Sequence, residues 1–340
     1  MKTLPHIQLS MLDLVAVREG RGVDHALHTA LRTAQHAESL DFTRYWVAEH
    51  HNMIGIASSA TTVIMGYLAG GTSRIRIGSG GIMLPNHAPL VVAEAIGTLE
   101  ALYPGRIDLG LGRAPGTDGL TMRALRRDRV ETEQDFPRDV MELQRLLGPN
   151  QPGQRLVATP GCGANTPIWL LGSSLYSAQL AGELGLPYAF AAHFAPRLLL
   201  QALAIYRQSF KPSARLAKPH AAVGVQVVAA PSDDEAHYLA SSLYQRVHGI
   251  VTGRRGKLPL PVENYLESLH PQELAAVEDF LAAAVVGGPD TVQRGLQHLA
   301  DLTQADEFIM VSDVYDVDLR LRSMSMVREI MQTASTPALL

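Results

Sequence analysis

Arg44-Tyr45-Trp46-Val47-Ala48-Glu49-His50-His51 reads as a short buried strand that ends in three ionisable side chains. Tyr45, Trp46 and Val47 have the aromatic and β-branched character of a strand, and Ala48 permits tight backbone packing before the polar tip. Polar groups at the carboxyl end of a parallel strand are where α/β enzymes place catalytic residues. Residues 52–56 break the period as a loop, and residues 57–69 resume as a helix. Strand, tip, loop and helix make one β/α unit, with the chemistry at the tip.

Outward from this unit the same alternation continues. Short apolar runs predict strands at residues 6–10, 45–48, 75–79, 107–111, 168–171, 188–191, 223–228 and 308–311. Helical periods lie between them at 23–40, 57–69, 90–102, 138–147, 175–184 and 197–210. Eight such units predict a (β/α)₈ TIM barrel, with residues 1–340 forming a single domain. A doubly wound open sheet is the competing architecture, but no Gly-x-Gly-x-x-Gly fingerprint follows the first strand. Residues 114–134, 148–167 and 249–289 exceed a minimal barrel and read as insertions at loops. The last carries Gly253-Arg254-Arg255-Gly256-Lys257-Leu258-Pro259-Leu260-Pro261, which cannot be a regular element and predicts a lid.

Bulk properties narrow the partners. With 46% hydrophobic and 18% charged residues the chain can bury a large core. A net charge of -4 argues against a nucleic-acid or anionic-membrane surface. One basic run holds Arg123, Arg126, Arg127 and Arg129, with Asp128, Glu131 and Glu133 close by. It reads as a solvated helical face or as a rim contacting an anionic cofactor. Cys162 is the only cysteine, so no disulfide framework or Cys-based metal site is available. His50, His193 and Asp13 are the residues that could meet as metal ligands in a barrel metallohydrolase, but the His-x-His pair of such enzymes is absent and no metal is expected. Without a leader-like N-terminus or an apolar run of ~20 residues, a cytoplasmic protein is expected. The helices at 57–69 and 90–102 are apolar on more than one face, which fits a subunit interface or packing against a long loop.

Three further stretches carry chemistry. Gly80-Gly81, where strand three leaves the barrel, means that a side chain would clash with neighbouring backbone or with a flat ligand. Gly110 and Gly112 leave similar room on strand four, and Arg113 stands at the mouth. Gly172-Ser173-Ser174 opens a helix that continues through Ser177, and supplies N–H groups and hydroxyls at the positive end of the helix dipole. That is a phosphate-binding start or an ordinary N-cap.

Ala48-Glu49-His50-His51, Gly80-Gly81-Ile82-Met83-Leu84-Pro85, the run from Gly105-Arg106-Ile107-Asp108 to Gly112-Arg113, and Ser174 through Gly185-Leu186-Pro187 come in this order along the chain. Together they resemble the bacterial luciferase-like flavin monooxygenase family over nearly the whole length. The resemblance implies a (β/α)₈ barrel binding FMN at its carboxyl end and a homodimer built on the helices after strands two and three. It implies a monooxygenase acting on a small organic substrate with O₂, its reduced FMN supplied by a separate NAD(P)H:flavin reductase. It puts the essential histidine at His50, managing protons near the flavin, and a non-proline cis peptide at Gly80-Gly81, supporting the isoalloxazine ring. The flavin-contacting arginine falls on Arg113 and the phosphate hydroxyls on Ser174 and Ser177, whereas Ser173 and Tyr176 depart from the luciferase pattern. An F420-dependent (deazaflavin) dehydrogenase on the same fold is the alternative activity, and a barrel metallohydrolase the non-redox one.

Overall fold

The computed structural model describes residues 2–114, 118–125 and 135–334. Arg126, Arg127 and Arg129 of the basic run lie outside the described residues, whereas Arg123 is exposed on a short helix. The strands are β1 (Gln8–Asp13), β2 (Arg44–Val47), β3 (Arg76–Met83), β4 (Ile107–Gly112), β5 (Ile168–Gly172), β6 (Tyr188–Phe190), β7 (Ala221–Ala229), β8 (Val285–Gly287) and β9 (Glu307–Val311). The helices are α1 (Val23–Ser39), α2 (Thr61–Gly70), α3 (Pro89–Leu102), α4 (Gly119–Leu125), α5 (Asp135–Leu147), α6 (Leu175–Glu183), α7 (Leu199–Ser209), α8 (Asp233–Val251), α9 (Pro271–Phe280), α10 (Pro289–Thr303) and α11 (Val317–Thr333).

Eight strands pair in parallel in the order β1 to β7 and then β9, and β9 pairs back onto β1, closing the barrel. All eight expected strands are present. The short β8 pairs with Val227–Ala229, beyond the last residue of β7 that pairs with β9. Its three residues, Val285-Val286-Gly287, are too few to show a period in the sequence. The start of α2 at Thr61 rather than at residue 57 has a local cause: Ser58 donates to the Leu14 carbonyl, and its own carbonyl accepts from the His50 amide. Those bonds keep residues 57–60 out of a helical ladder. No helix of the described residues is long and apolar enough to cross a membrane.

The 249–289 stretch holds more regular structure than its Gly and Pro content suggests, including α9 and β8. Residues 253–261 are irregular apart from a bridge at Leu258, whose amide donates to Val17 and whose carbonyl accepts from Glu19. The segment therefore packs beside the loop that follows β1.

The strands carry side chains on two faces, one toward the helices and one into the lumen, so their runs are apolar throughout. Leu12, Trp46, Ala48, Trp169, Ala189 and Val311 fill the lumen. Below them sits a charged cluster at the amino ends of the strands. Arg44 donates from Nε to Glu307 Oε1 at 2.8 Å and from Nη1 to Asp108 Oδ2 at 2.7 Å, and Arg76 Nη2 donates to Asp108 at 2.6 Å. His220 Nε2 and the Ser10 hydroxyl complete the shell of Glu307. The Arg44 guanidinium also lies 4.6 Å from the Trp169 ring centroid, a cation–π contact.

Burial alone would push the Glu307 carboxyl up, but Arg44, His220 and Ser10 hold it below the ordinary carboxylate range. Arg44→Met removes the shared cation and is expected to destabilise the barrel by about 3–5 kcal/mol in urea unfolding. Glu307→Gln in that background should recover part of the loss. An ionised Glu307 contributes stability above the ordinary carboxylate pKa and loses it as pH falls through the lowered folded value. The gap between parent and Arg44→Met should therefore narrow in acid; a gap that stays constant with pH would show that packing, not charge, carries the effect.

Candidate active site at the carboxyl end of the barrel

Side-chain contacts divide the tip of β2. Trp46 and Ala48 face the lumen; beyond the end of β2 at Val47, His50 interacts with His193, while Glu49 and His51 turn to the connection after β3. Glu49 is buried against the connection between β3 and α3. Its Oε1 accepts from His87 Nε2 at 2.8 Å and from His51 Nε2 at 3.0 Å, and its Oε2 accepts from the Met83 amide at 3.2 Å. Burial opposes the charge on Glu49, but the hydrogen bonds and charge of His87, then His51 and Met83, hold its carboxyl below the ordinary range. The donor atoms of Glu49, His51 and His87 lie within 4.8 Å of one another, close enough for a metal ion. Both Glu49 oxygens already accept N–H donors, which makes the group a lock that fixes the β2 tip and the His50 backbone.

On the lumen side His50 is joined by His193, which lies in the turn after β6 and is seated on the inward face of β7 at Gly224. Burial, then the nearby charges of His50 and Arg246, push the His193 imidazole down to about 3, so it is neutral at physiological pH. Its ring lies directly over Gly224 of β7, where a Cβ would come within 2.6 Å of Nδ1. Only glycine leaves that space. Arg246, on α8, pairs with Asp313 beyond β9 at 2.8 Å. Gln226 shares the inward face of Gly224 and is level with Val311. Asp13, weighed as a metal ligand with His50 and His193, is turned away instead, held by Arg320 at 3.1 Å and by the Tyr45 hydroxyl on the helix side of the sheet. The His50–His193–Asp13 set is not assembled.

Across the mouth, the Gly80–Gly81 peptide is cis and coincides with a register shift between β3 and β4. A Cβ on Gly81 would lie 2.7 Å from the Gly110 carbonyl oxygen, and one on Gly110 would lie 2.1 Å from that of Ser79. Neighbouring backbone is therefore a sufficient reason for these glycines, and it leaves a ledge without side chains above the lumen. Next around the barrel, Ser174 caps α6 by accepting from the Ser177 amide at 3.3 Å. The Ser177 hydroxyl donates to the Ser174 carbonyl at 2.9 Å and meets the Tyr188 hydroxyl at 3.2 Å. A Cβ on Gly172 would strike the Ser177 hydroxyl, which is why glycine precedes Ser173 and Ser174 here. The exposed Arg113 guanidinium stacks 4.6 Å from the Tyr176 ring centroid. Tyr176 thus carries Arg113 to the start of α6.

The structure brings His50, Gly80, Gly81, Arg113, Gly172, Ser173, Ser174 and Ser177 to one end of the barrel. Sequence reading missed Gln226 and Arg246, because Gln226 is a single polar residue inside an apolar strand and Arg246 belongs to a helix that was not expected.

The sequence pattern described as luciferase-like monooxygenase matches residues 7–305. The chain belongs to the luciferase-like monooxygenase family. A family member from Escherichia coli (strain K12), described as a luciferase-like monooxygenase, is 48% identical over 324 residues, covering 95% of this chain and 97% of that one. The crystal structure of apo-MsnO8 matches with a TM-score of 0.86 at 33% identity, covering 97% of this chain and 100% of that one. More distantly, the fold recurs in the FMN complex of the oxygenating constituent of 3,6-diketocamphane monooxygenase from Pseudomonas putida, with a TM-score of 0.71 at 18% identity, covering 98% of this chain and 99% of that one. It recurs too in an F420-dependent secondary alcohol dehydrogenase with an F420-acetone adduct, with a TM-score of 0.69 at 15% identity, covering 97% of this chain and 99% of that one.

The Glu49 lock makes a stability prediction for this family member. Glu49→Gln replaces an acceptor-only carboxylate with a group that is half donor, leaving imidazole N–H groups without a partner, and should cost about 1–3 kcal/mol in urea unfolding at neutral pH. Because the folded pKa of Glu49 is lowered, the difference should close as pH falls through that value. Equal midpoints at pH 7 would mean that the β2 tip is held by other contacts.

Proposed function

We propose that this protein is an FMN-dependent monooxygenase that uses reduced flavin and O₂ to oxygenate a small organic substrate at the carboxyl mouth of the barrel. The observation that carries the reading is the convergence of a lumen-facing histidine, a ledge of glycines and a capped helix start at one rim. FMN needs a flat surface without side chains for its ring and an N–H-rich or cationic place for its phosphate. Gly80 and Gly81 supply the first, and the α6 start with Gly172, Ser173, Ser174, Ser177 and Arg113 supplies the second. Reduced flavin would supply the electrons that activate O₂.

The roles of this chain's own residues follow. Arg113, braced on Tyr176, meets negative charge on the cofactor. Ser174 offers its hydroxyl to the phosphate from a side chain that already caps the helix, and Ser177, expected from the resemblance to do the same, is buried with its O–H on the Ser174 carbonyl and instead braces that turn. His50 holds or moves a proton beside the ring, on a backbone fixed by the Glu49 lock. In this reading the electrons come from a separate NAD(P)H:flavin reductase. The F420-dependent dehydrogenase has the same fold, and cofactor titration separates the two.

FMN and F420 titrations, with stopped-flow oxidation of FMNH₂ by O₂, test the reading. The parent should bind FMN in preference to F420. Ser174→Ala should weaken FMN roughly ten- to hundredfold, the effect of one hydrogen bond to a charged group, and His50→Ala should keep both melting temperature and FMN affinity while turnover falls by ~10² to 10⁴. Preference for F420, or a His50→Ala variant that turns over like the parent, would overturn it.

The quaternary proposal is a homodimer through α2 and α3. Val63 and Tyr67 of α2 are 71% and 41% exposed, and Val91 and Leu102 of α3 are 60% and 63% exposed, an apolar surface that one barrel leaves uncovered. Light scattering at micromolar concentration should give twice the chain mass; a monomer there would remove the proposal.

A further inference from the structure

Two polar side chains on the β6–β7 side of the mouth lack the partners that burial normally demands. Gln226 is 5% exposed, and its Oε1 is buried with no hydrogen-bond partner among the described residues. His193 Nδ1 is in the same condition, seated on Gly224 two positions before Gln226 on one face of β7. Buried polar groups are ordinarily hydrogen-bonded, as the inward Arg44, Asp108 and Glu307 are at the other end of the lumen, and the inward positions beside Gln226, Ala222 and Val311, are apolar. A glutamine there is a cost unless something enters the mouth to meet it.

We infer that Gln226, flanked by His193, is the substrate-recognition wall of this barrel and selects a substrate bearing a neutral amide or a comparable N–H donor. A carboxamide offers an acceptor and a donor side by side, and the complementary group is one that also carries both. The wall has no net charge to attract a carboxylate or an amine: His193 is neutral, and Arg246 is already matched by Asp313. The wall lies across the lumen from the glycine ledge on β3, whereas the α6 start follows β5, the strand next to β6; the FMN affinity of a Gln226 variant therefore separates a substrate role from a cofactor role. His193 interacts with His50, so a group held at the wall is brought beside the residue given the proton role. The inference rests on the proposed flavin monooxygenase reading and adds a substrate class to it.

The test uses the full chain reconstituted with FMN and two probes matched in shape, N-propylbutanamide and propyl butanoate, with binding read from the perturbation of the flavin absorbance. The parent should bind the amide about tenfold or more tightly than the ester, because the ester leaves the Gln226 oxygen without a donor. Gln226→Leu, which keeps the volume, should lose that preference, retain the parent's FMN affinity, and melt at or above the parent's temperature because an unmet polar group has been removed. A parent that binds the two probes equally or binds neither overturns the inference, as does a Gln226→Leu variant that keeps the amide preference. If Gln226→Leu loses FMN affinity instead, the residue serves the cofactor and the substrate assignment fails. A parent that does not bind FMN is a separate result: it removes the proposed function, and this inference with it.

Discussion

The buried cation at Arg44 is the constraint on which the rest of the barrel depends. It reaches from β2 across the lumen to Glu307 on β9 and Asp108 on β4, joining strands far apart in sequence. Buried ion pairs seldom add much net stability, because desolvation cancels the attraction, but breaking one leaves a lone charge in the core. The cluster therefore acts less as glue than as a register pin. A one-residue slip of β2 would send Arg44 among the helices and turn Trp46 out of the lumen.

The contacts of the polar tip beyond β2 separate its members. Beyond the end of β2, His50 interacts with His193 while Glu49 and His51 grip the connection after β3. Adjacent residues are thus given different surroundings, His50 beside His193 and Glu49 within a hydrogen-bonded lock. Gly81 and Gly110 belong to the same economy of space: neighbouring backbone approaches too closely for a Cβ, while Gly80 makes room for Leu12 and Trp46, and the bare ledge is the result. A site of this type needs its first contacts held by a supporting layer, and here that layer is Glu49 for His50, Tyr176 for Arg113 and Gly224 for His193.

The insertion after β7 gives the mouth its asymmetry. α8 brings Arg246 to Asp313, and residues 253–261 run beside the loop after β1. The opening at β3 and β4 is bare backbone; at β6, β7 and β9 it is imidazole, carboxamide and a neutralised ion pair.

The sequence by itself determined the barrel. Eight apolar runs separated by helical periods fit few other architectures, and their strands lie within a few residues of where the runs place them. It also placed His50, Gly80-Gly81, Arg113 and the serines of α6, since these sit at strand ends or in turns whose residue types are locally legible. What only the tertiary structure decided are the pairings between residues distant in sequence. Arg44 with Glu307, Arg113 with Tyr176, and His193 over Gly224 join residues 263, 63 and 31 positions apart. The outward turn of Asp13 and the isolation of Gln226 likewise depend on which face of a strand meets the lumen, and that is fixed by barrel closure and stagger rather than by local composition.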